Sequence, residues 1–543
     1  MNQNTTNQNT ANQPSIFWHD YETWGVSPKL DKPSQFAGIR TDYDLNIIGE
    51  PEMFYCQPPQ DYLPNPGAAL VTGITPQKAQ QEGLLECEFA ARIHALFSVP
   101  NTCVAGYNSI RFDDEVSRYL FYRNFYDPYA REYKDGNSRW DIIDMARLCH
   151  AVAPEGINWP INEDGKVSFR LELLTAENGI SHEAAHDAMS DVYATIALAK
   201  LIKEKQPKLY NFVFSIRTKA EAAKQINLYE LKPFLHTSSK IGPEQKYTSW
   251  YMPIAADPVN KNAITCVDLS KDISPLFDLT SDEIKDRLYT RHDELKAEGK
   301  LPIPVKQVHI NKCPVVAPAK TLTPERAESI GIDREFCLAN WKLLKEKHQQ
   351  VNEKLTQVFV RDFGDVKDDP EHALYSGSFF SYADKDKMAQ IHQMPAEQLG
   401  ITPFNFSDKR LDTLLFRYRA RNFPHTLDAN EQLEWQQYCH NKLNNGEYGL
   451  TADSYIKEIQ GFAITHAQNE EKMAVLESLE AYLFEQQSPD FNEPKQKPQK
   501  LPGIDASFME KLEKLSENST NTHSQSTLNE LHSLCSENKK EQK

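Results

Sequence analysis

The sequence lacks several features that would place it in a membrane or outside the cell. No apolar run approaches the roughly 20 residues that a membrane-spanning helix needs. The nine cysteines are scattered singly, without a CxxC pair, and an odd number cannot all form disulfides. Residues 1–13 are almost entirely Asn, Gln and Thr, without the basic start and apolar core of a signal peptide. These absences favour a reducing cytoplasm.

Three common catalytic motifs are also missing, namely the GxSxG nucleophile elbow, the phosphate-binding P-loop and the GxGxxG dinucleotide fingerprint. Acidic residues outnumber basic ones, with 77 Asp and Glu against 60 Lys and Arg, and the formal net charge is −17. This balance argues against a protein that coats nucleic acid, because such proteins are usually basic overall. It leaves room for an enzyme with a locally basic groove, since nearby charges set the field in a cleft.

A chain of 543 residues is too long for one hydrophobic core, so we expect several domains. The residue pattern predicts an α/β domain over residues 15–205, a β-rich domain over 206–360 and an all-helical domain over 361–486. The two ends, 1–14 and 487–543, are expected to be a disordered leader and a mostly disordered tail.

The apolar spacing also predicts the extent of individual helices. One continuous helix is expected over Ala79–Phe97, after a Thr75 N-cap, and another over Ser454–Phe484. A further helix is expected to start at Trp140.

Two acids lie on a short apolar strand, Ile16–Trp24. Asp20 and Glu22 are two residues apart, so on a strand both carboxylates point to the same side. Like charges on one face of an apolar strand repel each other and are costly to desolvate, and a divalent cation between them removes that cost. The alternative is an exposed strand end with two solvated acids.

A third acid stands where a strand gives way to a helix. The buried strand Thr102–Asn108 opens into a loop, and Asp113 begins an aromatic-rich helix. Ligands of α/β proteins usually bind at the carboxyl end of the sheet, which is where this junction lies. The alternative is that Asp113 only caps its helix, a common role for Asp.

A histidine and a fourth acid surround a helix start. Five residues of helix turn about 500°, so His186 and Asp191 would diverge if both were helical. They converge only if Asp187 is the N-cap and the helix starts at Ala188. Asp191 then projects from the first turn, and His186 lies on the preceding loop.

Together these residues form a complete set for metal-assisted phosphodiester hydrolysis. Four carboxylates suit two hard cations such as Mg²⁺ or Mn²⁺, which prefer oxygen ligands. Two such ions about 4 Å apart can hold the attacking and leaving oxygens of a phosphodiester. A mobile His186 beside them can take the proton from the attacking water.

A zinc-protease hypothesis competes for the same histidine, because residues 182–186 match the HExxH signature. That site needs a third ligand, and the nearest downstream candidate is Glu204. Since residues 188–204 are expected to be one unbroken helix, Glu204 would lie roughly 25 Å away. Gly179 also interrupts the long helix that the signature requires.

The order Asp-x-Glu, Asp, His-x4-Asp resembles the DEDDh exonuclease superfamily, and longer motifs resemble the bacterial exonuclease I family of single-strand-specific 3′→5′ deoxyribonucleases. The resemblance runs from about Ile16 to about Phe484. The motifs that carry it are His19-Asp20-Tyr21-Glu22-Thr23, Gly73-Ile74-Thr75-Pro76, Gly106-Tyr107-Asn108, Arg111-Phe112-Asp113-Asp114-Glu115, Asn124-Phe125-Tyr126-Asp127-Pro128-Tyr129, Pro154-Glu155-Gly156-Ile157-Asn158-Trp159-Pro160 and His186-Asp187-Ala188-Met189.

This resemblance implies a ribonuclease-H-like nuclease domain, then an SH3-like β-rich domain and an all-helical domain. It implies that two Mg²⁺ ions, or Mn²⁺, are held by four acids, and that His186 is the general base. It also implies that Glu22, Thr75 and Asn108 hold the 3′-terminal nucleotide. His182 matches no catalytic position of the family. The metal ligands implied by the resemblance are Asp20, Glu22, Asp113 and Asp191.

A run of cations and aromatics in the third domain is a candidate DNA contact. Residues 417–423 place Arg417 and Arg419 among aromatic neighbours, a pattern that can grip phosphates and stack bases. The alternative is a helix whose arginines face water.

The resemblance also implies a protein partner, because exonuclease I relatives dock the acidic C-terminal tail of the single-stranded-DNA-binding protein between the last two domains. Lys345 stands at a basic position of that surface. Thr323 stands where a closer relative has Arg. A monomer is expected, with no membrane association.

The function predicted is therefore 3′→5′ degradation of single-stranded DNA to 5′-mononucleotides, in DNA repair and recombination. An RNA-trimming exonuclease on the same fold is the first alternative, since the catalytic residues fit either sugar. A binding scaffold without catalysis is the second, and it conflicts with five filled catalytic positions.

Overall fold

The structure is a computed structural model that describes residues 13–181, 187–361, 368–446 and 449–487. It divides into two compact units, with the boundary between Thr451 and Ala452. The predicted leader lies almost wholly outside the described residues, as do His186 and nearly all of the predicted tail.

The predicted first domain corresponds to the described part of residues 13–205. Its elements in chain order are β1 (Ser15–Thr23), β2 (Pro33–Thr41), β3 (Glu52–Tyr55), α1 (Pro66–Thr72), α2 (Pro76–Glu82), α3 (Glu86–Phe97), β4 (Thr102–Gly106), α4 (Asp113–Arg123), β5 (Ser138–Asp141), α5 (Ile142–Val152), α6 (Leu171–Glu177) and α7 (Ala188–Lys205).

The five strands form one mixed sheet in the order β3-β2-β1-β4-β5. β1 lies at its centre, antiparallel to β2 and parallel to β4. β4 and β5 are also parallel, so the carboxyl ends of β1, β4 and β5 lie at the same edge. The residues that follow these three strands therefore meet there.

Helices cover both faces of the sheet. Successive side chains of β1 point to opposite faces, so they pack alternately against the helices of one face and of the other. Trp18 belongs to a core shared with Met145 of α5 and Val192 of α7. Phe17 belongs to a separate core that includes Phe89 of α3 and other residues of α3 and α4. A strand buried on both faces accounts for the continuous apolar run at its start.

Two helix predictions in this domain are wrong at their boundaries. The continuous helix predicted over Ala79–Phe97 is two helices, because Gly83 ends α2 and Leu84 instead donates its backbone N–H to the oxygen of Tyr55 at 2.9 Å. A side chain at Gly83 would collide with the Ala79 carbonyl oxygen. Trp140 lies on β5, and its successor Asp141 is the N-cap of α5.

The second domain contains a β-rich core, as predicted, with more helices than expected. Its elements are α8 (Pro207–Ser215), α9 (Lys219–Gln225), β6 (Phe234–Thr237), β7 (Thr248–Ala256), β8 (Ala263–Asp268), α10 (Pro275–Asp278), α11 (Ser281–Tyr289), α12 (His292–Ala297), β9 (Val305–His309), β10 (Val315–Pro318), α13 (Pro324–Ser329), α14 (Arg334–Glu346) and α15 (His348–Val358). The strands form an antiparallel sheet in the order β10-β6-β7-β8-β9.

The remaining described residues form helices, as predicted for the third domain. They are α16 (Tyr382–Ile391), α17 (Ala396–Leu399), α18 (Arg410–Asn422) and α19 (Ala429–Asn445), and in the second compact unit α20 (Ala452–Thr465) and α21 (Glu470–Gln487).

The single helix predicted over Ser454–Phe484 is wrong, because it is interrupted between α20 and α21. Asn469 accepts a hydrogen bond from the Lys472 backbone N–H at 3.0 Å, which satisfies a free donor at the start of α21. Among the described residues, no helix has the length and apolar character needed to cross a membrane.

Buried ion pairs tie α18 and α19 to the first domain. Asp61, which is completely buried, accepts hydrogen bonds from Arg421 Nε at 2.8 Å and from Lys442 Nζ at 2.6 Å. Arg421 also pairs with Glu371. Removing one partner would leave a buried charge uncompensated, so this network holds α18 and α19 in place against the first domain.

Candidate active site

Two of the acids come from the end of the central strand. Asp20 and Glu22 are partly exposed, whereas Tyr21 between them turns into the core, where its hydroxyl pairs with Ser117 Oγ at 3.0 Å. The strand period of two thus places both carboxylates on one side, as the sequence predicts.

Asp113 approaches the same strand from the start of α4. Its Oδ1 accepts a hydrogen bond from the Tyr21 backbone N–H at 3.2 Å, which places this carboxylate beside β1, between Asp20 and Glu22 in sequence. Asp113 is the first helical residue, and Phe112 occupies the N-cap position. The capping alternative is therefore not what the structure shows.

Asp191 lies in the first turn of α7, as predicted. Asp187 caps that helix by accepting a hydrogen bond from the Ser190 backbone N–H at 3.3 Å. The carboxylate oxygens of Asp20, Glu22 and Asp191 lie within 4.8 Å of one another. Three acids from distant parts of the chain therefore converge on one point, with Asp113 beside them.

The electrostatics of three of these acids, Asp20, Glu22 and Asp113, favour a bound cation. Burial, followed by repulsion from Asp191 and Asp113, raises the pKa of Glu22 to about 8. Burial and neighbouring carboxylates also raise the pKa values of Asp20 and Asp113 well above their usual range. Such a cluster, made of oxygen ligands alone, fits hard divalent cations, because positive charge relieves both costs.

The predicted general base cannot be placed, since His186 lies outside the described residues together with His182. Its catalytic role stays a prediction. The structure argues against the protease hypothesis. Helix α7 begins at Ala188, after the HExxH residues, and Glu204, the candidate third ligand, lies at the far end of that helix.

The residues predicted to hold the terminal nucleotide lie on loops. Thr75 caps α2, and its Oγ1 accepts a hydrogen bond from the Lys78 backbone N–H at 3.2 Å. Asn108 follows β4 with a φ of 60°, a left-handed conformation that Asn tolerates. Both side chains are partly exposed. Their contact with a nucleotide stays a prediction.

The arginines predicted to grip phosphates are engaged elsewhere. Arg417 makes two hydrogen bonds to Asp369, at 2.7 and 2.9 Å, and Arg419 makes two to Glu431, at 2.6 and 2.9 Å. Both side chains are buried, so they neither face water nor present a free guanidinium group. This geometry favours a structural role, and the phosphate contact stays a prediction without support from the side-chain positions.

The predicted partner residue is accessible. Lys345 is exposed on α14, with its Nζ 5.3 Å from the centre of the Trp341 ring. Thr323 is the N-cap of α13, so it has a structural role of its own.

A large groove borders the loop between β4 and α4, at Ile110 and Arg111, and sequence reasoning did not identify it. It has a volume of about 1670 Å³ and draws on all three domains. Nine Lys and Arg side chains and only five Asp and Glu side chains line it, so the groove is basic although the whole chain is acidic. No single local motif groups these residues, because they come from segments as distant as Arg111, Lys306 and Lys385.

Carboxylates clustered at the edge of a mixed sheet, in a chain that also forms a basic groove, define a metal-dependent nuclease. Comparison with known families agrees. Residues 17–199 match an exonuclease family model, residues 217–361 the exonuclease I SH3-like domain, and residues 368–486 the exonuclease I C-terminal domain.

Relatives and solved structures lead to the same family. The chain is 50% identical to exodeoxyribonuclease I of Escherichia coli over 479 residues, which are 88% of this chain and 99% of that protein. It is 50% identical to exodeoxyribonuclease I of Haemophilus influenzae, over 86% of this chain and 98% of that protein. The E. coli exonuclease I structure with a dA16 oligonucleotide aligns with a TM-score of 0.84 at 49% identity, covering 87% of this chain and 100% of that chain.

The chain therefore belongs to the exonuclease I family and is a DNA exonuclease. The predicted fold is confirmed, with a ribonuclease-H-like domain followed by SH3-like and helical domains. The protease and RNA-trimming alternatives find no support among these relatives.

Proposed function

We propose that this chain hydrolyses single-stranded DNA from its 3′ end and releases 5′-mononucleotides, in DNA repair and recombination. The observation that carries the proposal is the convergence of Asp20, Glu22 and Asp191, with Asp113 beside them. Arg111, two residues before Asp113, lines a basic groove. A groove of this kind can guide one flexible strand toward the acids.

The four acids would hold two Mg²⁺ ions, or Mn²⁺ in their place. A zinc-bound form of the E. coli exonuclease I–DNA complex has been solved, which agrees with a divalent cation in the family. When bound, the ions supply positive charge that stabilises the charge of the reacting phosphate.

The other catalytic steps belong to side chains of the chain itself. His186 would take the proton from the attacking water. Thr75 and Asn108, with Glu22, would hold the terminal nucleotide so that its phosphate lies against the acids. Lys240, Lys306 and Lys312 line the groove without an ion pair among the described residues, so their charges are available to the phosphates of the incoming strand.

Replacing Asp191 tests the site. Asp191→Ala removes one of the converging carboxylates, and we expect it to abolish release of the terminal nucleotide from a 3′-labelled oligonucleotide in Mg²⁺. The domain should remain folded, because removing a like charge from a repelling cluster relieves strain. Asp282→Ala, which removes a first-turn acid of α11, is the matched control and should keep full activity.

Full activity of the Asp191→Ala variant would contradict the proposed site. Parallel assays with DNA and RNA oligomers of the same sequence show whether the enzyme cleaves deoxyribonucleotides or ribonucleotides. We expect rapid cleavage of DNA alone.

We further infer that the chain binds the acidic tail of a single-stranded-DNA-binding protein through the surface that includes Lys345. Exposure of the Lys345 side chain supports the proposal. Thr323 counts against it, because Thr is neutral where a closer relative has a positively charged Arg. Fluorescence titration with an acidic C-terminal peptide tests it.

The chain is proposed to act as a monomer in the cytoplasm, in keeping with the eight free cysteines of the described residues.

A further inference from the structure

One buried carboxylate near the site has no part in the proposed chemistry. Asp141 ends β5, caps α5 and is 8% exposed. Its oxygens accept hydrogen bonds from three backbone N–H groups, those of Asn108 at 2.9 Å, Ile143 at 3.0 Å and Ile110 at 3.2 Å. Only Ile143 belongs to its own helix. One carboxylate therefore ties the loop between β4 and α4 to the start of α5.

That loop carries two functions. It begins near Asn108, proposed to hold the terminal nucleotide, and it ends at Asp113, proposed to hold a cation. Because Asp141 occupies the backbone N–H of Asn108, the side-chain amide is the group left for a ligand. That amide has no hydrogen-bond partner among the residues that the structure describes.

Capping α5 does not by itself require a buried acid. Thr75 and Thr218 cap α2 and α9 with a single hydroxyl. A carboxylate differs from a hydroxyl because it offers two oxygens and only accepts hydrogen bonds. Burial, and the charge of Asp144, raise the pKa of Asp141 to about 6, so the fold holds this anion where ionisation is disfavoured. The hydrogen bonds from Asn108 and Ile110 explain why the fold keeps a carboxylate at this position despite the cost of burying its charge.

We propose that Asp141 is a positioning residue for the 3′-terminal nucleotide, and that it acts by holding the Asn108 loop at a fixed distance from the metal-binding acids. The inference rests on the proposed function and deepens it. Asp141 is one of the acids that line the groove, but in this scheme it contacts neither the DNA nor the cations. Its effect passes through the backbone of Asn108 and Ile110.

Asp141→Ser is the first test, because Ser keeps a good helix cap but cannot serve three donors with one oxygen. We expect kcat/KM on a single-stranded oligonucleotide to fall by about 10–100-fold, as for a misplaced binding group. The melting temperature should change little. Asp428→Ser makes the same exchange at the cap of α19, where the acid serves only its own helix, and should keep full activity.

A double-mutant cycle separates positioning from general stabilisation. If Asp141 acts through Asn108, the losses caused by Asp141→Ser and Asn108→Ala overlap, and the double variant is scarcely worse than either single variant. Additive losses, or unchanged activity of Asp141→Ser, would overturn the inference. If Asp141→Ser fails to fold, Asp141→Asn replaces it, since it keeps the size and the cap but sets an NH₂ group against the loop donors.

Binding without catalysis gives a second readout. In EDTA, wild type should bind an oligonucleotide with an intact 3′-terminal nucleotide more tightly than one ending in an abasic sugar. Asp141→Ser should reduce this preference. An equal preference in both proteins would overturn the inference alone, whereas a wild type without nuclease activity would overturn the proposed function.

Discussion

At the scale of single residues, the environment of a side chain decides its role. Asp20 and Asp61 are both acids of the first domain. Burial and the neighbouring carboxylates raise the pKa of Asp20, whereas Arg421 and Lys442 hold the pKa of Asp61 well below its usual range. Asp61 is thus permanently charged and structural, and Asp20 is ready for a cation.

The raised pKa of Glu22 predicts how stability depends on pH. Between its ordinary pKa of 4.5 and about 8, the folded metal-free chain retains a proton that the unfolded chain has released. Ionisation therefore costs folding free energy in this window, and the metal-free melting temperature should fall as pH rises from about 5 to 8.

Mg²⁺ should reverse that loss, so the rise in melting temperature on adding Mg²⁺ should be larger at pH 8 than at pH 6. Each 1 kcal/mol corresponds to ~2–4 °C in a domain of this size. Differential scanning fluorimetry in EDTA and in Mg²⁺ measures the effect. Glu22→Gln should reduce both the pH slope and the stabilisation by Mg²⁺, and an unchanged slope in this variant would rule out Glu22 as the source.

At the scale of elements, the position of β1 depends on a glycine in its neighbour. Gly38 of β2 pairs with His19 of β1. A Cβ atom at Gly38 would lie 2.8 Å from Phe17 Cζ and 2.9 Å from the Trp18 carbonyl oxygen, which are closer than real Cβ contacts allow. The two strands can pair in this register only because residue 38 has no side chain.

Gly38→Ala should therefore destabilise the first domain by about 1–3 kcal/mol, the usual cost of overpacking. It should also lower nuclease activity, since β1 carries Asp20 and Glu22. Urea unfolding measures the first effect. Gly49→Ala is the control, because its Cβ would meet only Arg40 Cβ, at 3.4 Å, and a loss equal to that of Gly38→Ala would refute the steric argument.

At the scale of the whole molecule, an acidic protein forms a basic groove by collecting cations from three domains. Lys306 and Lys312 lie on or just after β9 of the second domain, and they line the same groove as Arg111 of the first domain. The overall charge then limits binding of polyanions elsewhere, while the groove attracts one strand.

The salt dependence of DNA binding tests the groove. Each phosphate contact on single-stranded DNA contributes about 0.7 to the slope of log affinity against log salt concentration. In an Asp191→Ala background that leaves the DNA intact, replacing Lys306 and Lys312 by Ala should lower that slope by about 1.4. Replacing Lys285 and Lys296, exposed on α11 and α12, should leave it unchanged, and equal slopes in all variants would show that the strand lies elsewhere.

The sequence alone determined the parts of this protein that depend on local order. The period of β1 assigned Asp20 and Glu22 to one side, and the capping preference of Asp187 placed the start of α7 and therefore Asp191. Helix breaks at Gly83 and Asn469 were missed, because they depend on a contact with Tyr55 or on a side-chain cap inside an otherwise apolar pattern.

Only the tertiary structure decided which positively charged side chains are available to bind DNA phosphates. Arg417 and Arg419 lie in a motif that suits DNA, yet carboxylates distant in sequence neutralise both. The lysines of the groove form no motif and become a surface only when the domains pack. Ion pairs and grooves depend on distances between remote segments, which local residue patterns do not encode.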